Sequence, residues 1–352
     1  MNNRRAAFKI SLSVAIATLS LIGIQVLAQP QESLSQKNPS ELTTSWTSPR
    51  TASGQPDLQG VWANNTATPF ERPKELEGRT SLTDEEVKEL EEVASTLFNG
   101  ETDAAFGDAV FKAALAGAST NKEIRDLNRF DVATGNYNQF WLVEREFDNR
   151  TSVIVEPKNG RIPELTPEAK KRRTATLEYQ KLHPADGPED LSLGHRCLNF
   201  GVPKVGAGYN SYHQIFQTRN YVAILSEMAH DARIVPIDGR PHLDSNIRQW
   251  NGDARGYWDG ETLVVETRNF SVKSQFRESH ENLHLVERFT RITPDTLKYE
   301  FTVTDPTTWV QPWSGMIPLK RSEGAIYEFA CHEGNRGLAG ALSGYRAQEE
   351  KQ

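Results

Sequence analysis

From residue 212 onward the chain breaks into short, apolar-alternating segments cut by turn dipeptides, and this rhythm constrains the fold more than any other feature. Strand-like stretches fall near 212–217, 220–228, 232–237, 246–250, 254–258, 262–268, 283–292, 296–304 and 325–332. Asp238-Gly239, Asp259-Gly260, Pro294-Asp295 and Glu323-Gly324 punctuate them. Short strands joined by tight turns must run in opposite directions, so the pattern predicts an antiparallel barrel or sandwich. Upstream, Gly54 to Ala63 reads as a turn and a short strand. Phe140–Val143 and Ser152–Val155 read as strands separated by the turn signal Asp148-Asn149-Arg150. Helices are expected over 84–98, 102–118 and 167–182. Thr83-Asp84-Glu85-Glu86 is a capping box ahead of Val87, Leu90, Ala94 and Leu97 at helical spacing. Thr166-Pro167 supplies a cap and a first-turn proline.

The N-terminus carries the marks of an export signal. Arg4, Arg5 and Lys9 precede an apolar stretch, Ile10 to Ile24, and Val26-Leu27-Ala28 fits the small-residue cleavage pattern. The apolar stretch is shorter than the roughly 20 residues a membrane span needs. Cleavage is therefore expected near Gln29, with an uncleaved anchor as the competing reading. Arg4-Arg5-Ala6-Ala7-Phe8-Lys9 also resembles a twin-arginine signal, which would export the protein folded. The expected organisation is a signal peptide over 1–28, a flexible leader over 29–53, one β-barrel domain over 54–346 with a helical insert at about 81–127, and a tail over 347–352. The location is periplasmic or secreted, with no stable membrane span after cleavage. About 300 residues remain, ample for a large core. Net charge is −7 and the one dense basic run is Lys170-Lys171-Arg172-Arg173, so nucleic-acid binding by counterion release has no footprint. The chain has two cysteines, Cys197 and Cys331. In an oxidising compartment they are expected to pair, contributing about 4–5 kcal/mol on the chain-entropy model.

Chemistry-bearing residues concentrate in Glu227-Met228-Ala229-His230-Asp231-Ala232-Arg233, directly behind the apolar run Tyr221–Leu225. The segment offers an imidazole, two carboxylates and a guanidinium, which suit either acid–base work or a structural ion network. Alternation along 283–292 puts Leu283, Leu285, Glu287 and Phe289 on one face, and His284, Val286, Arg288 and Thr290 on the other. Glu287 is thus a carboxylate on an apolar face, as Asp305 is beyond Tyr299, Phe301 and Val303. Such a group either pairs with an arginine from a neighbouring strand or has its pKa raised by desolvation. His230 and His284 are assigned the base and acid roles, tuned by Glu227, Asp231 and Glu287. Arg233 or Arg288 would hold an anionic group, with His213, Tyr212 and Trp250 lining the substrate. His280 and His284 have an H-x-x-x-H spacing, but their surroundings read as strand, so no metal site is assigned. Were one present, His230, His284 and His332 would be its ligands. Gly206-Ala207-Gly208 and the glycines from Gly334 to Gly344 lack the strand-to-helix context of a phosphate loop and read as loops, so no cofactor is implied.

Several segments together resemble a large, mostly uncharacterised family of secreted bacterial proteins. The likeness rests on Gly54 to Trp62, Arg150 to Pro157, His230 to Ile234, Asp238 to His242, Trp258 to Val265, Asn282 to Phe289, Asp305 to Trp309 and Ala330 to Asn335. No agreed activity attaches to that family. A looser likeness, through Gly60-Val61-Trp62 at the first strand, is to lipocalin-type barrels. The expected architecture is a mainly β, antiparallel, lipocalin-like (calycin-type) barrel, simple or expanded, with helical insertions. The expected function is a secreted, cofactor-independent lyase, isomerase or hydrolase using His/carboxylate chemistry on a small or lipophilic molecule. A periplasmic carrier for a lipophilic ligand and a His-ligated metalloenzyme are the alternatives.

Overall fold

Strand register decides which side chains enter the interior. The computed structural model describes residues 46–98, 107–120 and 145–350, all within the unit Leu42–Gln352. The signal and most of the leader, parts of the helical insert, and the strand expected over 140–143 lie outside the described residues. The strands are β1 (Gly60–Ala63), β2 (Ile154–Glu156), β3 (Tyr212–Gln217), β4 (Tyr221–Ser226), β5 (Asp231–Pro236), β6 (Asp253–Asp259), β7 (Thr262–Arg268), β8 (His284–Thr293), β9 (Thr296–Thr304) and β10 (Trp313–Ser322). They form one antiparallel sheet in the order β5-β4-β3-β1-β10-β9-β8-β7-β6, with β2 also on β10. The terminal strands β5 and β6 lie against each other, so the sheet nearly closes into a lipocalin-like barrel. At that seam a Cβ on Gly256 would come within 2.8 Å of Ile237 and 2.9 Å of Val235, so the close approach needs glycine.

The expected strands at 246–250 and 325–332 do not form, and β10 has no counterpart among the strands expected from the sequence. Pro318 obscured β10, yet it falls where the strand has a ladder neighbour on one side only. β1 pairs with Lys320–Ser322, β2 pairs with Ser314 and Gly315, and only β9 runs alongside in between. A residue without an N–H is accommodated there. The 325–332 segment is irregular instead, and the Phe329 N–H is taken by His230 Nδ1 at 3.2 Å.

Among the described residues, four α-helices accompany the sheet: α1 (Asp84–Leu97), α2 (Ala109–Thr120), α3 (Pro167–Leu182) and α4 (Arg336–Glu349). Thr83 and Glu86 close the capping box on α1 (3.2 and 2.8 Å), and Thr166 caps α3 through Ala169 N–H (3.1 Å). The α4 segment, read as a loop and tail because of Gly337, Gly340 and Gly344, is helical. Asn335 caps it through Leu338 N–H (3.0 Å), and Arg346 ties it to the Ala185 carbonyl (2.6 Å). These contacts offset a propensity cost of about 1 kcal/mol per glycine.

Side chains of one parity fill the barrel: Trp62, Ile215, Ile224, Val235, Leu263, Val265, Leu285, Phe289, Tyr299, Phe301, Trp313 and Ile317 are buried. Trp313 is ringed edge-on by Phe70, Phe301 and Trp309, and stacked by Phe276. At one end, Arg291 lies over the Trp62 and Trp46 rings (5.5 and 5.7 Å) and donates to the Asp57 and Pro294 carbonyls. The polar groups described next gather towards the other end. α1 and α2 keep a separate small core around Leu90, Leu97, Phe111 and Phe147. A Cβ at Gly315 would intrude on the Phe301 ring. Gly315→Ala is therefore expected to destabilise the barrel by about 1–3 kcal/mol through overpacking, read from the urea midpoint. A change under about 0.5 kcal/mol, the range of ordinary surface substitutions, would contradict that packing.

Candidate functional site

The register that fills the barrel also turns polar side chains inward at the end where β4 stops and β5 begins. His213 opposes Ser226, Ser226 opposes Asp231 and Ile224 opposes Arg233, so His213, Ser226, Asp231 and Arg233 share the interior face. The parity of β8 and β9 adds Glu287 and Tyr299. Arg233 donates two hydrogen bonds to Glu287, Nη1 to Oε2 at 2.5 Å and Nη2 to Oε1 at 3.0 Å. Tyr299 Oη donates to Glu287 Oε1 at 2.8 Å. Glu287 has therefore taken the paired course open to an inward carboxylate. Burial pushes the Arg233 pKa down, but Glu287 outweighs it and the net direction is up. The Tyr299 hydroxyl is pushed well up by burial and by Glu287, so it stays a donor.

A second chain enters from loops. Lys204 Nζ donates to Asp231 Oδ2 (3.0 Å), Asn251 Nδ2 to Asp231 Oδ1 (2.6 Å), and Asn199 Nδ2 to Asn251 Oδ1 (2.9 Å). Both Asp231 oxygens are thus turned onto protein donors. Lys204 and Asp231 remain 13% and 16% accessible, whereas Arg233 and Glu287 fall to 8% and 2%. The first pair is thus partly open to solvent and the second is buried in the barrel. Burial lowers the Lys204 pKa despite Asp231.

His213 Nδ1 lies 3.1 Å from Ser226 Oγ. Burial first, then the charges of Lys204 and Arg233, push its pKa down to about 3. Its ring is therefore neutral at physiological pH, with Ser226 setting its orientation.

The remaining predicted residues lie elsewhere. His284 is on the outer face of β8, its Nε2 2.7 Å from Glu266 Oε1, which also pairs with Arg268. His242 stands 3.9 Å from the other Glu266 oxygen and is held through Nδ1 by Asp253 (2.9 Å). Arg288 pairs on the outside with Asp259 (2.8 Å), and Trp250 is exposed. His230 is exposed, with positive φ, and its Nδ1 accepts from Phe329 N–H (3.2 Å). Glu227 is buried, which raises its pKa, and one of its oxygens has no partner among the described residues. Tyr212, on the opposite parity from His213, has its hydroxyl pKa raised by burial and by Glu227. Thus Asp231, Arg233, Glu287 and His213 come together, while His284 and Arg288 are on the outer face.

Lys204, Asn199, Asn251 and Ser226 were not singled out from the sequence. Ser226 was legible, since β4 parity places it inward with Val222 and Ile224. The other three lie in loops with no periodicity to read. Cys197 and Cys331 form a disulfide, which joins the segment carrying Asn199 and Lys204 to the one carrying Phe329. Phe200 and Phe329 meet edge-on beside it. Among the described residues no group of three or more His, Cys, Asp or Glu is arranged to hold a metal ion, and no helix is long and apolar enough to cross a membrane. Compared with family models, curated proteins and solved structures, the chain matches none.

Proposed function

We propose that this is an exported enzyme that carries out acid–base chemistry on a small molecule at the barrel end, as a lyase, isomerase or hydrolase. One observation carries the reading: His213 Nδ1 lies 3.1 Å from Ser226 Oγ, its pKa lowered by burial and by the charges of Lys204 and Arg233, at the barrel end where the Lys204–Asp231 pair stays partly accessible. A neutral imidazole can take a proton from a carbon or a water bound against it, and an ammonium alongside stabilises the negative charge that develops. In this reading His213 is the base and Lys204 the electrostatic partner. Asp231 and Asn251 position Lys204, and Glu287 with Tyr299 position Arg233. The buried rings of Trp62, Phe289, Tyr299, Phe301 and Trp313 occupy the barrel interior, which favours a ligand at the end over a lipophilic one in the lumen. The disulfide supports an oxidising destination.

The test is turnover of a panel of small esters, lactones and β-substituted acids by the wild type, His213→Gln and Lys204→Gln. Each substitution is expected to lower kcat/KM by about 10²–10⁴-fold, with the far-UV spectrum unchanged. Wild-type turnover in both variants would sink the assignment.

A further inference from the structure

Three loops, 196–204, 243–252 and 269–277, meet at the barrel end that holds Lys204 and Asp231, and hydrogen bonds lace them together. Asn199 Nδ2 donates to Asn251 Oδ1 (2.9 Å), Ser274 Oγ to the Trp250 carbonyl (2.6 Å) and the Ser271 N–H to the Gln249 carbonyl (2.8 Å). A Cβ on Gly201 would come within 2.8 Å of the Gln275 carbonyl oxygen, so the first and third loops are in contact. Apolar side chains stand beside these bonds. Leu198 and Phe200 flank Asn199, Trp250 precedes Asn251, and Val272 follows Ser271. All four are 41–58% exposed, although Phe200 also packs edge-on against Phe329.

The same loops carry Arg196, Lys204, Arg248, Lys273 and Arg277 against a single acid, Asp244, in a chain whose net charge is −7. Lys204 pairs with Asp231, and Arg277 lies over the Phe70 ring at 4.2 Å. Arg248 donates to the Phe270 and Glu281 carbonyls (3.2 Å each), which fix its position without neutralising it. Among the described residues Arg196 and Lys273 have no ionic partner. Exposed aromatic and aliphatic tips set among unpaired cations match the bilayer boundary, where rings enter the headgroup layer and Lys and Arg meet anionic headgroups. A second copy fits poorly, because a two-fold contact would set this cationic face against itself.

We infer that this rim is a docking surface for an anionic lipid bilayer. Leu198, Phe200, Trp250 and Val272 enter the headgroup layer, while Arg196, Arg248 and Lys273 meet its negative charge. The contact is peripheral and needs no spanning segment. The loop hydrogen bonds hold the tips in place beforehand, so little ordering is required on binding. The inference goes beyond the acid–base reading and stands without it. It also bears on that reading, because Asn251, which donates to Asp231 at 2.6 Å, is the immediate neighbour of Trp250. Docking would bring the Lys204–Asp231 pair to the lipid surface.

The experiment mixes the exported protein with vesicles of phosphatidylcholine alone, or with about a third phosphatidylglycerol, and reads the bound fraction by flotation. Binding to the anionic vesicles is expected to be about tenfold tighter or more, and to fall by a similar factor in about 1 M salt. Lys273→Glu, and Trp250→Ser combined with Val272→Ser, should each weaken it about fivefold or more with the far-UV spectrum unchanged. Any binding through the leader is common to wild type and variants and does not imitate those losses. No binding, equal binding to both vesicles, or anionic binding that either variant retains in full would overturn the inference. So would lipid-free self-association that Trp250→Ser abolishes, which would assign the face to a second copy. His213→Gln should bind the anionic vesicles as the wild type does, so the docking surface and the acid–base reading fail separately.

Discussion

Glu287→Ala is expected to cost about 3–5 kcal/mol of folding stability, measured as the shift in urea midpoint at constant m-value. The cost arises mainly from the unpaired charge that remains, and only secondarily from the side-chain volume removed. Arg233 is 8% accessible and gives both terminal nitrogens to Glu287, so truncating the carboxylate strands a guanidinium in the barrel interior. Tyr299 Oη is left without its acceptor at the same time. Replacing both ionic partners with apolar residues of similar volume, as in Arg233→Met with Glu287→Leu, should recover most of the loss. Buried pairs are often close to neutral against well-packed hydrophobes. A Glu287→Ala variant within about 1 kcal/mol of wild type would mean that water reaches Arg233.

Acid should weaken the fold through His213. Its pKa is 6.5 in the unfolded chain and about 3 in the folded barrel. Between those values the unfolded state binds the proton and the folded state does not, so stability rises with pH. The contribution is fully present above pH 6.5 and is lost progressively as pH falls towards 3. A shift of that size corresponds to about 4–5 kcal/mol at the acid end of the window. Carboxylates titrate in the same range, so the measurement is the difference between wild type and His213→Gln. The variant should lose stability less steeply between pH 6.5 and 4, and parallel profiles would contradict a neutral His213.

The barrel was readable because its signals are local. Asp238-Gly239, Asp259-Gly260 and Pro294-Asp295 mark turns, and alternation over 262–268, 283–292 and 296–304 located β7, β8 and β9. The same alternation placed Glu287 inward, which the structure bears out, and by the same parity would have placed Ser226 inward. Reading failed where a local signal was overridden. Pro318 hid β10, three glycines hid α4, and the apolar 325–332 segment is irregular rather than a strand. The candidate site was only half legible, because pairing across the barrel leaves no periodic trace. Arg233 meets Glu287 over 54 residues and Lys204 meets Asp231 over 27. Proximity along the chain misled in the other direction: Glu227, His230 and Asp231 are near neighbours in sequence, yet only Asp231 joins the interior set. His284, three residues from Glu287, faces outward by the strand alternation that turns Glu287 in.

His213 is a neutral imidazole oriented by Ser226, its pKa lowered by burial and by the charges of Lys204 and Arg233. Nitrogen-detected NMR of the ligand-free protein from pH 8 down to pH 4, with His213 assigned by comparison with His213→Gln, tests it most directly. The His213 ring is expected to keep the chemical shifts of a single neutral tautomer across that whole range. A His213 midpoint near pH 6.5 would contradict it.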